Sequence, residues 1–190
     1  TIGMEYLGLS SLFTSVLQVL NLAELGVGSA MVYSMYEPIA VDDTKKICAL
    51  MQLYKIYYRV IGLVICIIGL LLTPFIPKLI SGDVPPDINV YILYLLNLSA
   101  TVLSYWLFAY KNCILNAHQR TDLVSKVHIV TSTLQYLLQI LALIVFENYY
   151  MYVIAVLFTQ VVTNVSTAVV ATKQYPALKA FGKLPVAEQK

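Results

Sequence analysis

Charged residues are scarce in this chain of 190 residues. Only 12% are Asp, Glu, Lys or Arg, whereas 59% are apolar. Soluble domains contain about 25% charged and about 45–50% apolar residues. The shortage of charge excludes a disordered chain, a nucleic-acid-binding domain and almost any soluble enzyme. The net charge of +2 is too small to indicate an acidic partner. The composition therefore predicts an integral membrane protein in contact with membrane lipids.

Cysteine and histidine are too few and too scattered for a metal or redox site. Cys48, Cys66 and Cys113 are odd in number and form no CxxC pair, so we expect small buried side chains rather than ligands. A haem would need paired His within the spans, whereas His118 and His128 both lie near one membrane edge. We therefore predict no cofactor and no metal.

Five long apolar stretches predict five membrane-spanning helices in a single all-α domain. They cover residues 6–36, 58–80, 90–119, 127–146 and 150–172, and a tail follows at 173–190. Each is long enough to cross a hydrocarbon core of about 30 Å at about 1.5 Å per residue. The apolar runs are continuous rather than alternating, which disfavours membrane-spanning strands.

The basic residues predict how the bundle is oriented. Lys78 alone lies in one of the two outer regions, and the other Lys and Arg residues lie between spans one and two, around the turn after span three, and after span five. Cytoplasmic loops collect Lys and Arg, so we expect the chain to start outside and end in the cytoplasm. It begins with Thr and has no signal peptide, and an outside start indicates that a preceding helix is missing.

Apolar spacing predicts that span two extends as a helix into the cytoplasm. Residues 42–59 carry their apolar positions at i, i+3, i+4, i+7 and i+11, namely Ile47, Leu50, Met51, Tyr54 and Tyr58. A separate helix lying in the membrane interface is the alternative.

Span two also carries a row of small residues. Gly62, Cys66, Gly69 and Thr73 recur on one helical face and predict close packing against a neighbouring helix. Prolines at positions 74 and 77 are expected to bend or end this helix on its outer side.

The other four spans carry polar residues at helical spacing. These stripes comprise Gln18, Asn21, Gly28 and Ser29, with Glu24 at the margin; Asn97, Thr101, Ser104, Lys111, Asn112 and Gln119; His128, Ser132, Gln135 and Gln139; and Gln160, Thr163, Asn164 and Thr167. Polar groups avoid lipid, so these faces are expected to point into the bundle or line a water-filled path. Interhelical hydrogen bonding alone is the alternative. The mostly uncharged lining suits sugars and water better than a bare ion.

Two ionisable residues within the predicted spans, Glu24 and Lys111, are candidates for a functional role. Glu24 lies near the middle of the first span, where an acid is costly when charged, so it is a candidate for binding a proton or cation. The alternative is a protonated acid bonded to a carbonyl. Lys111 lies near the inner interface, where a cavity role and snorkelling to lipid headgroups are equally good interpretations.

Five segments carry a resemblance to a known family. They are 5–13 (EYLGLSSLF), 22–30 (LAELGVGSA), 36–40 (YEPIA), 110–112 (YKN) and 115–119 (LNAHQ). Together they resemble the O-antigen and capsule-type polysaccharide flippases of the multidrug/oligosaccharidyl-lipid/polysaccharide exporter superfamily. Members have two helical lobes around a central cavity in the bacterial inner membrane. They move undecaprenyl-pyrophosphate-linked oligosaccharides by alternating access, often with proton or sodium coupling, and are not enzymes.

The resemblance implies that this chain is one incomplete lobe, which needs the remaining helices of the same polypeptide as its partner. It places cavity roles on Glu24 and Lys111, with Gln119 at the inner mouth, while the family's basic residues in the first and seventh helices have no counterpart here. The predicted cavity-lining set is Gln18, Asn21, Glu24, Asn97, Lys111, Asn112, Gln119, Gln135, Gln139, Gln160 and Asn164. A multidrug or cation antiporter of the same superfamily, an inactive remnant lobe and a membrane-embedded enzyme are the alternatives.

Overall fold

The computed structural model describes residues 4–21, 26–80, 88–146 and 148–182. Of these described residues, 86% are helical and none lies in a strand, so the all-α prediction is confirmed. The helices are α1 (Met4–Asn21), α2 (Val27–Ala40), α3 (Thr44–Leu72), α4 (Ile76–Leu79), α5 (Val90–Trp106), α6 (Ala109–Ala117), α7 (Thr121–Ile144) and α8 (Tyr149–Gln174).

Three helical segments are long and apolar enough to cross a membrane. They are Thr44–Leu79, Thr121–Ile144 and Tyr149–Gln174, and a fourth is added if the bent pair Val90–Trp106 and Ala109–Ala117 counts as one span. The chain thus has the apolar helices of a multi-pass membrane protein. The prediction of five spans and the two-lobe resemblance are not confirmed.

The first predicted span is not one helix within the described residues. Helix α1 ends at Asn21, and α2 begins at Val27 after Gly26, whose φ of 86° belongs to the left-handed region that glycine adopts without a Cβ clash. The expected single polar face over residues 6–36 is therefore wrong, because a helical stripe cannot continue through such a break. Glu24 lies outside the described residues.

Helix α3 confirms the predicted helical extension of span two over residues 42–59, as a continuation of the span. It starts at the Asp43 cap, whose carboxylate accepts a hydrogen bond from the Lys46 backbone N at 3.0 Å, and it continues unbroken to Leu72. The five periodic apolar residues of this segment are all buried. A short 3₁₀ turn (Thr73–Phe75) and α4 follow, where Pro74 and Pro77 were expected to end the helix.

The predicted small-residue face of α3 packs closely on α5. A Cβ at Gly62 would lie 2.6 Å from the indole Nε1 of Trp106, and a Cβ at Gly69 would overlap the Leu98 side chain. The Tyr94 hydroxyl also donates a hydrogen bond to the Gly69 carbonyl at 3.0 Å. Only glycine permits this approach at these two positions, so the packing prediction is confirmed.

The third predicted span is bent, not straight. Helices α5 and α6 meet at an angle of 50° across Leu107 and Phe108, and Phe108 has a φ of 61°. A continuous helix over 90–119 is therefore wrong. Neither glycine nor proline marks the break.

Contacts between distant segments define the two ends of the bundle. At one end the His118 ring stacks on Tyr175 with centroids 4.1 Å apart, and the Cys48 Sγ approaches the Ala177 carbonyl at 4.0 Å. The predicted tail thus packs back against α3 and α6 along its described part. At the other end the Asn89 backbone N donates to the Tyr150 hydroxyl at 2.6 Å.

The buried core lies mainly among α1 to α6, around side chains such as Phe13, Met35, Met51 and Tyr94. Helix α7 is more peripheral. It buries only Thr131, Gln139 and Ala142 and leaves large apolar side chains exposed. Such an apolar exterior is expected where a helix faces lipid.

Candidate functional site

A polar cavity of about 270 Å³ lies where α5, α6, α7 and α8 meet, beside α3. We call it the polar cavity. Its lining residues are Tyr58, Ser104, Tyr105, Phe108, Ala109, Asn112, His128, Gln160, Thr163, Asn164 and Thr167. Amides and hydroxyls predominate, and aromatic rings cover part of the wall.

The polar stripe of α8 supplies one side of this cavity. Gln160, Thr163, Asn164 and Thr167 occupy positions i, i+3, i+4 and i+7, which lie on one helical face. They lie in the middle and C-terminal part of α8, well inside a helix that could span the membrane. The sequence pattern of this span therefore located one wall of the cavity.

The break at Phe108 shapes the opposite wall. An unbroken helix would bond the Phe108 N–H to the Ser104 carbonyl, but here it bonds to the Trp106 carbonyl at 3.2 Å. The Asn164 Nδ2 instead donates to the Ser104 carbonyl at 3.3 Å. A left-handed residue other than glycine costs about 1–2 kcal/mol, so the backbone at Phe108 is strained.

A second cavity, of about 450 Å³, lies between α2 and α6. We call it the α2 cavity. It is lined by Gly28, Ser29, Val32, Tyr33, Tyr36, Tyr58, Asn112, Cys113 and Asn116. Tyr58 and Asn112 line both cavities, so these two side chains form the wall between them.

Asn112 has an unusual hydrogen-bonding state. Its Oδ1 atom is buried and has no hydrogen-bond partner among the described residues. The neighbouring Tyr58 hydroxyl is engaged with the Cys113 Sγ at 3.5 Å. Folded proteins leave few buried polar atoms unpaired, so this oxygen is an exception within the described part of the chain.

The polar cavity carries almost no formal charge. None of its lining residues is Asp, Glu, Lys or Arg. No group of His, Cys, Asp and Glu among the described residues could hold a metal ion. The lining is thus suited to a neutral ligand that both donates and accepts hydrogen bonds.

Several predicted site residues on the bent span lie outside both cavities. The Lys111 Nζ donates to the Thr172 hydroxyl at 2.6 Å and lies 5.5 Å from the centroid of the Phe108 ring, so Lys111 ties α6 to α8. Gln119 is exposed in the turn before α7, with a φ of 57°. The Asn97 Nδ2 bonds within its own helix to the Leu93 carbonyl at 2.8 Å. The single polar stripe drawn through these residues is therefore wrong.

The remaining predicted residues also differ in their placement. Asn21 lies beside the polar cavity rather than in its wall, because its Oδ1 accepts a hydrogen bond from the lining residue Tyr105 at 3.1 Å. Gln18 is exposed on α1. On α7, Gln139 is buried and Gln135 half-buried, and neither is part of the lining of the polar cavity or the α2 cavity.

Aromatic side chains are the part of the site that the sequence analysis missed. Tyr58, Tyr105 and Phe108 line the polar cavity, and the rings of Tyr58 and Tyr105 lie 6.2 Å apart. In an apolar span such residues look like ordinary core or lipid-facing positions. No local sequence pattern distinguishes a cavity-lining aromatic residue from a core or lipid-facing one, because the role depends on which side chains of other helices lie next to it.

Comparison of the chain with protein-family models, with characterised proteins and with solved structures finds no match. The chemistry of the site therefore has to be deduced from its own residues.

Proposed function

We propose that this chain is part of a membrane flippase that moves a lipid-linked oligosaccharide across the bacterial inner membrane by alternating access. The observation that carries the proposal is the polar cavity, which places uncharged amides and hydroxyls within an otherwise apolar helical bundle. Polar residues inside a membrane bundle commonly line a substrate path. The sequence resemblance to polysaccharide flippases points to the same class of cargo.

The cavity chemistry favours the sugar part of such a cargo. Asn112, Gln160 and Asn164 each offer a donor and an acceptor, as sugar hydroxyls require. A pyrophosphate would instead need cationic partners, which the cavity lining does not include. In this proposal the lipid-linked pyrophosphate is bound by basic residues of further helices of the same polypeptide.

The bent span supports an alternating-access mechanism. Transporter sites are commonly built from discontinuous helices, because non-helical backbone is tolerated in a membrane where it lines a cavity. Helices α5 and α6 have this form, and Phe108 at their junction lines the polar cavity. A change in the 50° bend would alter the cavity's shape without unfolding either helix.

The proposed orientation follows from the basic residues. Lys46 and Lys173 lie at the end of the bundle where the tail packs against α3, whereas Lys78 lies at the opposite end. We assign the Lys-rich end to the cytoplasm. On this assignment the N-terminus of the chain is outside.

A multidrug or cation antiporter is the second candidate, and an inactive remnant lobe is the third. The antiporter needs a coupling acid, and the candidate, Glu24, lies outside the described residues. The uncharged lining of the polar cavity favours the sugar cargo over a cation.

Complementation of a flippase-deficient bacterial strain tests the proposal. The chain would be expressed from its whole reading frame, with Gln160→Leu and Asn164→Leu as test variants and Gln135→Leu as the matched control outside the cavities. We expect both test variants to reduce surface polysaccharide at equal membrane abundance and the control to retain it. Normal export by both test variants would refute the cavity's role in transport.

A further inference from the structure

We infer that the lipid-facing side of α3 binds the headgroup phosphate of an anionic phospholipid through Arg59 and Lys55, beside the indole of Trp106. The inference concerns the lipid around the chain and does not depend on the cargo of the proposed flippase. Three observations carry it: the position of the two basic residues at the end of an apolar stretch, the lack of ion pairs at their side chains within the described residues, and the aromatic neighbour at the same level.

The position of Arg59 along α3 is the first observation. In the membrane-spanning segment Thr44–Leu79, Arg59 and Lys78 are separated by 18 residues that carry no charge. A helical stretch of this length covers about 27 Å, which is close to the hydrocarbon thickness of about 30 Å. Arg59 therefore lies where the hydrocarbon core meets the phospholipid headgroups, and Lys78 lies at the opposite boundary.

The two basic residues also stand at the end of a row of apolar side chains. Its members are three or four residues apart and so share one side of α3, namely Lys55, Arg59, Leu63, Ile67 and Leu70. The three apolar side chains are each about half exposed, Arg59 is exposed and Lys55 is half-buried. A phospholipid whose acyl chains lie along the apolar part of this row brings its phosphate to the level of the two cations.

The charge at this position is the second observation. Neither Lys55 nor Arg59 has an ion pair within the described part of the chain, where the ion pairs shown join Arg120 and Lys126 to Asp122. Helix α3 itself contains no Asp or Glu. Guanidinium and ammonium groups form charge-assisted hydrogen bonds with phosphate oxygens. An anionic headgroup therefore supplies the negative charge that α3 lacks.

Trp106 is the third observation, because it marks the same level from a neighbouring helix. Its indole Nε1–H donates a hydrogen bond to the Arg59 backbone carbonyl at 3.2 Å, and the side chain is 47% exposed. Tryptophan is enriched where a membrane meets water, since its ring is apolar and its N–H is polar. The chain contains one Trp, so its fluorescence reports on the lipid that lies beside Arg59.

Fluorescence quenching by labelled lipids tests the inference. The purified 190-residue chain is reconstituted in phosphatidylcholine vesicles that contain either brominated phosphatidylglycerol or brominated phosphatidylcholine. We expect brominated phosphatidylglycerol to quench Trp106 at the lower mole fraction. Arg59→Gln should reduce this preference about fivefold, which is the contribution of one basic side chain near an anionic surface. Arg59→Lys should keep most of the preference, and both variants retain the backbone carbonyl that holds Trp106.

Lys126→Gln is the matched control. It changes the net charge by the same amount, but Lys126 lies on α7 beside Asp122, so the preference measured at Trp106 should not change. An equal fall in Lys126→Gln and Arg59→Gln would show a diffuse surface charge rather than a site, and would overturn the inference. Equal quenching by the two labelled lipids in the unaltered chain would overturn it too.

Two further outcomes are decisive. If neither labelled lipid quenches Trp106, a second copy of the chain covers this side of α3 and the lipid site is refuted. If Arg59→Gln does not fold, Lys55→Gln takes its place as the test variant. Its preference for phosphatidylglycerol should also fall about fivefold, and an unchanged preference would refute the site.

Discussion

The indole Nε1–H of Trp106 donates a hydrogen bond to the backbone carbonyl of Arg59, 3.2 Å away on α3. This bond fixes the last residue of α5 directly over Gly62, one turn further along α3. The bend at Phe108 begins immediately after it. The α3–α5 contact therefore sets the point from which α6 departs towards the polar cavity.

Alanine at Gly62 is expected to destabilise the chain. The new Cβ would lie 2.6 Å from the Trp106 ring, which is rigid and hydrogen-bonded, so we expect a loss of about 1–3 kcal/mol of unfolding free energy. In Gly69→Ala the new Cβ meets the flexible end of the Leu98 side chain, so the loss of unfolding free energy should be smaller than at Gly62. Gly8→Ala, with no atom within 4 Å of its Cβ, is the control and should be neutral or stabilising. Unfolding of the three variants in detergent, monitored by circular dichroism, ranks their losses of unfolding free energy. Equal losses at positions 62 and 8 would contradict the prediction.

The Lys111–Thr172 hydrogen bond is expected to contribute to stability and not to binding. A double-mutant cycle with Lys111→Met and Thr172→Val should give a coupling energy of about 0.5–1 kcal/mol, because the pair is partly exposed. Sugar binding by Lys111→Met should remain close to normal. If the coupling energy is near zero and Lys111→Met alone loses sugar binding, Lys111 contacts the sugar in the cavity and the prediction is wrong.

The proposed orientation predicts which end of the bundle reacts with an impermeant maleimide on intact cells. Single cysteines would be placed at Ser81, in the predicted outer turn, and at Ser125, which is exposed near the start of α7. Cys48, Cys66 and Cys113 are first replaced by alanine. Labelling is expected at position 81 only, since the Lys-rich end faces the cytoplasm. Labelling at position 125 but not at 81 would reverse the assignment.

Glu24 is expected to be a coupling residue in the whole transporter. Desolvation within a membrane favours the neutral acid, so its ionisation would favour an open, hydrated cavity. In the complementation strain, Glu24→Gln should abolish most export and Glu24→Asp should retain part of it, at matched membrane abundance. Normal export with glutamine, and loss of export only with leucine, would instead identify a permanently neutral structural acid.

The spacing of residues within one segment was enough to predict the features that depend on that segment alone. The apolar spacing of residues 42–59 predicted both the extension of α3 and its buried face, and the row of small residues predicted the side that α5 approaches. Pro74 and Pro77 predicted the end of α3 because proline removes backbone donors. The α8 stripe likewise predicted one wall of the polar cavity.

Adjacent residues on α6 show where such patterns are insufficient. Lys111 and Asn112 belong to one predicted stripe, yet Lys111 ties α6 to α8, while Asn112 forms the wall between two cavities. Consecutive residues of one helix point about 100° apart, so only the neighbouring helices decide what each of the two side chains contacts.

The sequence by itself determined the helical class and the buried face of α3, because composition and periodicity are properties of a single segment. Tertiary structure alone decided the break in the third predicted span, the aromatic lining and the unpaired Oδ1 of Asn112. Each of these depends on which side chains arrive from another helix. The polar cavity, for example, is lined by side chains of α3, α5, α6, α7 and α8, which are distant from one another along the chain.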